Sequence, residues 1–347
     1  MTLQDFLSEW RNDSPRLLVH TSGSTGRPKP LWVEKRRMLN SARITCDFLG
    51  LKAGDTALLC MPLDYIAGKM VVVRSIERRL HLLSVPPSGH PLSDSSLSRL
   101  PDPDGEITFA AMVPLQVYNS LQVAGERERL RRIRHLIIGG GAVDDRLAAA
   151  LHDFPHAVWS TYGMTETLSH IALRRLNGPG ADDWYRPFEG VEVWLDEDGC
   201  LVVNAPAVCS RPLVTRDRAE LCPSRPADAS PVRGFRILGR KDNVIDSGGI
   251  KIQTEEVERR LKPLLAGGFA VTSCPDERFG EALVLLTTQT DTPAVDALCR
   301  RCLPKFWQPR RIFHAAVIPQ TATGKPARAE IKALALALCR AGDGSIR

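Results

Sequence analysis

The sequence predicts an α/β protein with two domains. Residues 1–239 are predicted to form a large N-terminal domain of mostly parallel sheets flanked by helices plus a β-rich part, and residues 240–347 a small α+β domain. Three observations support this prediction. Short apolar runs alternate with helix-period segments from residue 16 to about 165. Apolar and polar residues then alternate after residue 185, and a compact tail follows the segment 225–234, which is rich in Pro, Ala and Ser.

The first part of the chain contains the apolar runs that are typical of buried parallel strands. They predict strands at Leu17–His20, Ala57–Met61, His81–Val85, Ile107–Ala111, His135–Ile138 and Ala157–Ser160. The segments between them have helical periodicity and predict helices at Glu34–Leu49, Lys69–Arg79, Val113–Val123 and Asp144–His152. This alternation of strands and helices favours a parallel sheet.

The later segments have different patterns. Residues 191–203 alternate apolar and polar side chains about an Asp-Glu-Asp-Gly turn, which predicts a β-hairpin. The segment 225–234 predicts a surface loop. Beyond it, the pattern predicts helices at Thr254–Leu265 and Val295–Leu303, and strands near Phe269–Ser273, Leu283–Thr287 and Arg311–Val317.

Composition excludes several classes of protein. Hydrophobic residues make up 43% of the 347 residues and charged residues 25%, as in ordinary globular proteins, which excludes a disordered chain. The apolar stretch from 57 to 73 contains Asp64 and Lys69 and does not predict a membrane helix. Acidic side chains near the start of the chain and the lack of an apolar signal core there argue against export, so we expect a cytoplasmic protein with no membrane partner.

The charge pattern favours small polyanionic ligands. The net charge of +6 arises from 46 basic and 40 acidic residues that are interspersed along the chain, and aromatic residues make up only 6%. A nucleic-acid surface would need clustered basic residues and aromatic platforms, so we expect no nucleic-acid partner. Composition leaves open whether the chain forms a homo-oligomer.

The segment 21–29 follows a predicted strand and is rich in small and hydroxyl side chains. Small residues let backbone N–H groups approach an anion closely, hydroxyl groups add donors, and a lysine adds positive charge, which together suit a triphosphate. The spacing does not match the Walker pattern, and from composition alone a plain connecting loop is an equally good interpretation. The candidate phosphate-binding residues are Thr21, Ser22, Gly23, Ser24, Thr25, Gly26 and Lys29.

This segment resembles the phosphate-binding signature of the adenylate-forming superfamily, which includes acyl-CoA synthetases, nonribosomal-peptide adenylation domains and luciferases. Further segments resemble motifs of that superfamily and occur in the same order along the chain. They are the adenine-flanking turn at Gly139–Ala142, the Tyr-Gly-x-Thr-Glu core at Tyr162–Glu166, a Thr-Gly-Asp motif at Thr215–Asp217 with Arg216 replacing the glycine, the hinge signature at Gly239–Asp242, the glycine loop at Ser247–Lys251 and the catalytic-lysine loop at Thr321–Lys325. The ordered series makes the resemblance specific.

The resemblance implies an enzyme that joins a carboxylate to AMP and then transfers the acyl group to CoA, with ATP and Mg²⁺ as the other requirements. It implies that Lys29 holds the departing phosphates and that Lys325 bridges the acid and the α-phosphate. Further implied contacts are those of Gly140, Gly141 and Tyr162 with adenine, Asp217 with the ribose, Arg240 with the ribose or phosphate region, Thr165 with the α-phosphate and Glu166 with Mg²⁺. Taken singly, each residue also fits an ordinary structural position.

In this superfamily, a small mobile C-terminal domain rotates about a hinge between adenylation and thioester formation. The resemblance implies a pivot at Asp242 and a loop beside the pantetheine arm of CoA at Gly248 and Gly249. Glycine suits such a loop because backbone without a side chain can pass close to an extended ligand. An ordinary glycine turn is the alternative interpretation.

The segment Met61–Met70 is similar to the superfamily's Pro-Leu-x-His-x-x-Gly motif, with Tyr65 at the histidine position. It most resembles the o-succinylbenzoate-CoA ligase subfamily of menaquinone synthesis, in which a base on the following helix meets the second carboxylate of an aromatic acid. Arg74 lies at the corresponding position. In a regular helix Lys69 would point about 140° away from it, so we expect Arg74 to bind the acid, with a solvated surface base as the alternative.

The short segment before residue 21 indicates a shortened member of the superfamily. Other functions remain open at this point: another aryl- or acyl-CoA ligase, a stand-alone amino-acid adenylation enzyme that loads a carrier protein, and a nucleotide-binding regulator without catalysis. An amino-acid enzyme would need an aspartate at the position of Tyr65, and Asp64 is one position away. A regulator would have no need for Lys325.

Overall fold

The computed structural model describes residues 1–20, 29–99, 107–223, 232–321 and 324–342. Its helices are α1 Leu3–Arg11, α2 Lys35–Leu49, α3 Ile66–Arg78, α4 Pro114–Gln122, α5 Ala124–Arg132, α6 Asp145–Leu151, α7 Thr254–Leu261, α8 Thr292–Cys302 and α9 Arg328–Arg340. Its strands are β1 Arg16–His20, β2 Pro30–Glu34, β3 Thr56–Leu59, β4 His81–Ser84, β5 Phe109–Met112, β6 His135–Ile138, β7 Ala157–Gly163, β8 His170–Arg175, β9 Arg186–Pro187, β10 Glu192–Leu195, β11 Cys200–Asn204, β12 Leu213–Pro223, β13 Val232–Arg240, β14 Val244–Ser247, β15 Ile250–Gln253, β16 Phe269–Asp276, β17 Gly280–Thr287 and β18 Arg311–His314.

A seven-stranded sheet in the order β4-β3-β5-β6-β7-β8-β9 forms the centre of the first part of the chain. Strands β3 to β7 are parallel, whereas β8 and β9 join antiparallel at one edge. The apolar runs of the central strands β3, β5 and β6 are largely buried, because helices cover such sheets on both faces. The predicted α/β class is confirmed, and the predicted element bounds differ from the structure by a few residues.

The strands β10 to β13 form a separate antiparallel sheet, and β1 and β2 form a two-stranded antiparallel sheet. The predicted hairpin at 191–203 is confirmed as β10 and β11. Residues 225–231 of the predicted surface loop at 225–234 lie outside the described residues. At its end the prediction is wrong, because Gly234 pairs with Cys222 inside the long ladder of β12 and β13.

The last part of the chain contains a mixed sheet in the order β15-β14-β17-β16, and β18 lies parallel to β17. Helix α7 ends at Leu261 rather than at Leu265. Pro263 explains the difference, since proline has no N–H group to continue the helical hydrogen bonds. Helix α9 packs against β16 and follows the predicted lysine loop directly.

Buried apolar side chains separate into clusters that follow the sequence. One cluster contains residues between Phe6 and Phe235, and two others contain residues between Ile245 and Ala335. This separation is what a boundary near residue 240 would produce, although the boundary itself stays a prediction. Within the described ranges, no helix has the length and apolar character needed to cross a membrane.

Candidate active site

Two predicted site segments lie at the carboxyl ends of neighbouring parallel strands. The glycine turn Gly139–Gly141 follows β6, and Tyr162 lies near the end of β7, which pairs with β6. A β-carbon on Gly139 would lie 2.5 Å from Thr161 Oγ1, and Gly140 has φ +75°. Glycine is therefore required for this turn to lie against β7. Ligands of open α/β sheets bind at this edge, where the loops leave the strands.

Asp217 is the centre of a hydrogen-bonded cluster. Tyr162 Oη donates to Asp217 Oδ2 at 2.7 Å, and Arg240 Nη1 donates to Asp217 Oδ1 at 3.1 Å. Asp217 and Arg240 are direct partners in the ladder of β12 and β13, so the sheet fixes their separation. Burial and the charge of Asp217 raise the pKa of Tyr162, which keeps its hydroxyl protonated as a donor.

The cluster continues to the predicted pivot. Arg240 Nη2 donates to Asp242 Oδ2 at 3.0 Å, and Arg216 forms an ion pair with the other oxygen of Asp242. Burial raises the pKa of Asp242, but hydrogen bonds from Arg216 and Arg240 outweigh that effect and lower it. The four side chains form a series of ion pairs in the order Asp217, Arg240, Asp242 and Arg216, in which acids and bases alternate. Their charges therefore cancel at the junction between the two predicted domains.

Lys325 approaches the same cluster from the C-terminal part of the chain. The backbone N–H of Thr321 donates to Lys325 O at 2.7 Å, and the Lys325 N–H donates to Thr321 Oγ1 at 3.2 Å. Burial lowers the pKa of the half-buried Lys325; the charge of Asp217 opposes that shift, and the charge of Arg240 adds to it. The charges of Asp217 and Arg240 thus influence the ammonium group of Lys325, although about a hundred residues separate Lys325 from Asp217 in the sequence.

The Tyr-Gly-x-Thr-Glu segment leaves β7 in a tight turn. A β-carbon on Gly163 would lie 2.2 Å from Ser169 O, so only glycine lets the chain fold back into β8 here. Thr165 is buried and Glu166 is exposed within a short 3₁₀ turn. The following Leu168 has φ +65°, a backbone conformation that residues other than glycine rarely adopt. The exposed carboxylate of Glu166 fits Mg²⁺, which is commonly held by one or two carboxylates and by phosphate oxygens.

Most of the predicted phosphate loop lies outside the described residues, namely Thr21, Ser22, Gly23, Ser24, Thr25 and Gly26. The flanking structure is described: β1 ends at His20, which forms a bridge with Tyr65, and the exposed Lys29 precedes β2. The segment thus connects two antiparallel strands next to the start of α3.

Helix α3 holds two buried bases that point to different sides. Lys69 is 2% exposed, and its Nζ lies 5.3 Å from the centre of the Phe6 ring. Arg74 is 1% exposed, and its Nη2 donates to Ser169 Oγ at 2.7 Å and to Thr45 Oγ1 at 3.3 Å. The alternative interpretation of Arg74 as a solvated surface base is therefore wrong, because α2 and β8 cover it.

The environment of Arg74 is polar but uncharged. Its Nε has no hydrogen-bond partner, and within the described ranges no carboxylate lies at salt-bridge distance from the guanidinium. His170 lies 3.0 Å from Thr45 Oγ1 and 3.2 Å from Ser169 Oγ. Burial and the charge of Arg74 lower the pKa of His170 well below its ordinary value, so His170 is neutral. Burial also lowers the pKa of Arg74 to about 10.

Gly248 and Gly249 form the two-residue turn between β14 and β15. Their φ angles are +63° and +82°, as expected for a tight hairpin turn. A β-carbon on Gly248 would lie 2.8 Å from the Phe279 ring, and Gly249 N donates to Asp246 Oδ1 at 3.0 Å. The turn geometry thus accounts for both glycines, and their role beside CoA stays a prediction.

A family model described as AMP-binding enzyme matches residues 4–205. The chain belongs to this family. As a member, it is an adenylate-forming CoA ligase that uses ATP, Mg²⁺ and CoA.

Curated relatives and solved structures agree with the family. A 2-succinylbenzoate–CoA ligase of Bacillus cereus is 25% identical over 345 residues, which cover 91% of this chain and 69% of that protein. An AMP-forming acyl-CoA synthetase/AMP-acid ligase II-like protein from Dyadobacter fermentans is 32% identical, with a TM-score of 0.60, over 94% of this chain and 91% of that chain. An o-succinylbenzoate CoA synthetase from Bacillus subtilis, in complex with ATP and magnesium ion, is 23% identical, with a TM-score of 0.70, over 90% of this chain and 69% of that chain.

The structure of this AMP-binding enzyme brings together Tyr162, Asp217, Arg240, Asp242 and Lys325. Sequence reasoning did not anticipate the contact of Arg216 with the pivot, although the replacement of the motif's glycine was a signal for it. It also missed the hydroxyl and imidazole groups around Arg74, for which the sequence contains no local signal.

Proposed function

We propose that this AMP-binding enzyme activates an aromatic dicarboxylic acid, o-succinylbenzoate, to its CoA thioester in menaquinone biosynthesis. The observation that carries this proposal is the buried, unpaired guanidinium of Arg74. An isolated buried charge is costly, and a protein retains one where an anion compensates it. The similarity to curated 2-succinylbenzoate–CoA ligases over 91% of the chain supports the same acid.

In the proposed adenylation step, an oxygen of the acid's reacting carboxylate attacks the α-phosphorus of ATP, the bond from that phosphorus to the oxygen bridging the β-phosphate breaks, and pyrophosphate leaves. The step brings two anions together. Lys325 would neutralise the developing charge, while Asp217 accepts hydrogen bonds from the ribose hydroxyls. Tyr162 and Arg240 hold Asp217 in place for that contact through one hydrogen bond to each of its oxygens. Mg²⁺, which Glu166 would hold, neutralises phosphate charge when it is bound.

The second carboxylate of the acid would meet Arg74. The planar guanidinium can still donate from Nε, since Ser169 and Thr45 accept from Nη2 alone. Ser169 links Arg74 to the Tyr-Gly-x-Thr-Glu segment, because the carbonyl oxygen of Ser169 packs on Gly163, the residue after Tyr162. A monocarboxylic acid would leave the guanidinium unpaired, so the site would discriminate in favour of a dicarboxylate.

The proposal is tested with a panel of carboxylic acids in the presence of ATP, Mg²⁺ and CoA, with AMP and acyl-CoA measured by mass spectrometry. We expect turnover of o-succinylbenzoate, and Arg74→Ala should raise its KM by roughly 10- to 100-fold through loss of a charged hydrogen bond. The kcat and the KM for benzoate should change little.

Arg78→Met provides the matched control, since Arg78 lies at the end of the same helix and pairs with Asp47 at the surface. It should leave the KM for o-succinylbenzoate unchanged. A preference of the unmutated enzyme for medium-chain fatty acids or amino acids would overturn the proposed substrate without any need for a variant.

A further inference from the structure

The catalytic role proposed for Lys325 depends on how its backbone is held. A lysine side chain has four flexible bonds and loses considerable rotamer entropy when it is fixed. Its ammonium group can therefore be placed reliably only if the turn that carries it is rigid. Within the described part of that turn, Thr321 and Lys325 exchange two hydrogen bonds, and Ala327 N donates to Pro319 O at 3.0 Å. These bonds fix the shape of the turn but do not attach it to the rest of the domain.

Arg328 supplies such an attachment. It lies three residues after Lys325, at the first position of α9. Its Nη1 donates to Glu258 Oε1 and its Nη2 donates to Glu258 Oε2, both at 2.7 Å, in a bidentate geometry. Arg328 Nη1 also donates to Val271 O at 3.2 Å. This fork of two parallel hydrogen bonds from Arg328 to Glu258, together with the bond to Val271, therefore connects the start of α9 to α7 and to β16.

The carboxylate of Glu258 is itself held on both sides. Its Oε1 also accepts a hydrogen bond from the backbone N–H of Val271 at 2.9 Å. The side chains of Arg328 and Glu258 are only 23% and 18% exposed, so solvent screens the pair less than a surface ion pair. A planar fork on a carboxylate fixes orientation as well as distance, which an ammonium group cannot do.

We infer that Arg328 is a positioning residue for adenylation: through Glu258 it fixes the turn that directs Lys325 to the Asp217 cluster. The inference rests on the proposed role of Lys325. Both partners lie on the C-terminal side of residue 240, so the fork would accompany Lys325 through any rotation about Asp242. Its loss should therefore affect the step that uses Lys325 and spare the step that does not.

The experiment compares the two half-reactions in Arg328→Met, Arg328→Lys and the unmutated enzyme. Acid-dependent exchange of labelled pyrophosphate into ATP reports adenylation, and acyl-CoA formed from supplied acyl-adenylate reports the second step. A displacement of about 1 Å can cost roughly 10²-fold in rate. We therefore expect exchange by Arg328→Met to fall about 10²-fold in kcat, and thioester formation to stay within about threefold. Arg328→Lys should recover part of the exchange, since one hydrogen bond to Glu258 can form.

Arg300→Met is the control, because Arg300 forms an exposed pair with Asp296 within α8 of the same part of the chain. It should leave both half-reactions unchanged. Equal losses of both half-reactions in Arg328→Met, together with a lower unfolding temperature, would reduce Arg328 to a stabilising residue and overturn the inference. Unchanged exchange would overturn it as well.

Glu258→Gln keeps the size of the side chain and tests the same contact if Arg328→Met does not fold. It should weaken exchange more than thioester formation, and an equal effect on both would contradict the inference. Failure of the unmutated enzyme to exchange pyrophosphate with every acid in the panel is a separate outcome. That result would refute the proposed function, on which the role of Arg328 depends.

Discussion

Asp217, the proposed ribose-binding residue, is oriented by neighbouring side chains without a ligand. A carboxylate can accept about four hydrogen bonds. Tyr162 and Arg240 each occupy one position, on different oxygens, and leave the remaining positions open. The raised pKa of Tyr162 keeps its hydroxyl protonated, so that it donates a hydrogen bond to Asp217 and does not repel the carboxylate as a phenolate would. The carboxylate is thus oriented while it keeps the capacity to accept two ribose hydroxyl groups.

The variant Tyr162→Phe tests this arrangement. It removes the hydroxyl but keeps the ring against Phe235, whose centre lies 5.0 Å away. The loss of a hydrogen bond to a charged group should raise the KM for ATP by roughly 10-fold, with a smaller effect on kcat. Steady-state kinetics at saturating acid and CoA measure both constants. Tyr118→Phe is the control, because Tyr118 is 57% exposed on α4; an equal KM in the two variants would argue against the arrangement.

At the residue scale, the sequence was better at indicating candidate site residues than at indicating which side chains surround them. Tyr162, Asp217 and Lys325 could be predicted because each occurs in a motif whose order along the chain is recognisable. The burial of Arg74 could not, since it depends on Thr45 from α2 and Ser169 before β8, which lie far away in sequence. A local pattern of charged residues contains no information about such distant neighbours.

At the scale of helices and strands, an element could be predicted where the pattern of apolar residues in the sequence clearly reflects burial. The central parallel strands β3, β5 and β6 were predictable because both of their faces are largely covered, which leaves continuous apolar runs. The strands β12 and β13 were missed, although Arg218 and Glu220 alternate with the apolar Ala219 and Leu221, because few apolar residues take part in this alternation. Arg236 Nε donates to Glu220 Oε2 at 2.7 Å across the two strands, and such cross-strand pairs do not produce an apolar pattern.

The segment around α4 and α5 is stabilised by a buried carboxylate. Glu126 is 2% exposed and accepts hydrogen bonds from Ser93 Oγ at 2.5 Å and Ser120 Oγ at 2.8 Å, and it lies 2.9 Å from His90 Nδ1. Burial raises the pKa of Glu126, but these hydrogen bonds outweigh burial and lower it below the ordinary 4.5. The folded state thus binds the proton less tightly than the unfolded state.

This shift predicts the pH dependence of stability. A carboxyl group with a lowered folded pKa stabilises the protein above its unfolded pKa, and that contribution is lost as pH falls through the folded pKa. Glu126→Gln should lower the free energy of unfolding at pH 7 by about 1–3 kcal/mol and should weaken its decline between about pH 5 and 3. Urea unfolding at several pH values measures both effects. The exposed Glu128→Gln is the control; parallel pH curves for the unmutated protein and Glu126→Gln would exclude this role.

At the scale of the whole molecule, one ion pair connects residues on the two sides of the predicted pivot Asp242, and a second pair lies directly before the pivot. Lys262 Nζ lies 2.7 Å from Asp144 Oδ2, at the end of the glycine turn region, and Lys241 Nζ lies 2.5 Å from Asp198 Oδ2. Each pair is partly exposed and contributes little to stability alone. Together with the influence of Asp217 on Lys325, they favour the present arrangement, which we expect to serve adenylation.

Two substitutions should separate the half-reactions that this arrangement implies. Lys325→Ala removes the charge needed at the α-phosphate, so it should abolish adenylate formation yet spare thioester formation from supplied acyl-adenylate. Asp242→Pro should do the reverse. Residue 242 lies within a 3₁₀ turn, whose φ proline can adopt, so proline would retain the present arrangement and prevent rotation about the pivot.

Asp242→Ala is the control for Asp242→Pro, because both variants remove the carboxylate that pairs with Arg216 and Arg240, but only proline restricts the backbone. Thioester formation should therefore fall much further in Asp242→Pro than in Asp242→Ala, while pyrophosphate exchange stays similar in the two variants. Single-turnover measurement of acyl-CoA and AMP for each half-reaction provides the comparison. If Lys325→Ala and Asp242→Pro lost both half-reactions equally, one fixed arrangement would have to serve both steps, and Asp242 would not be a pivot.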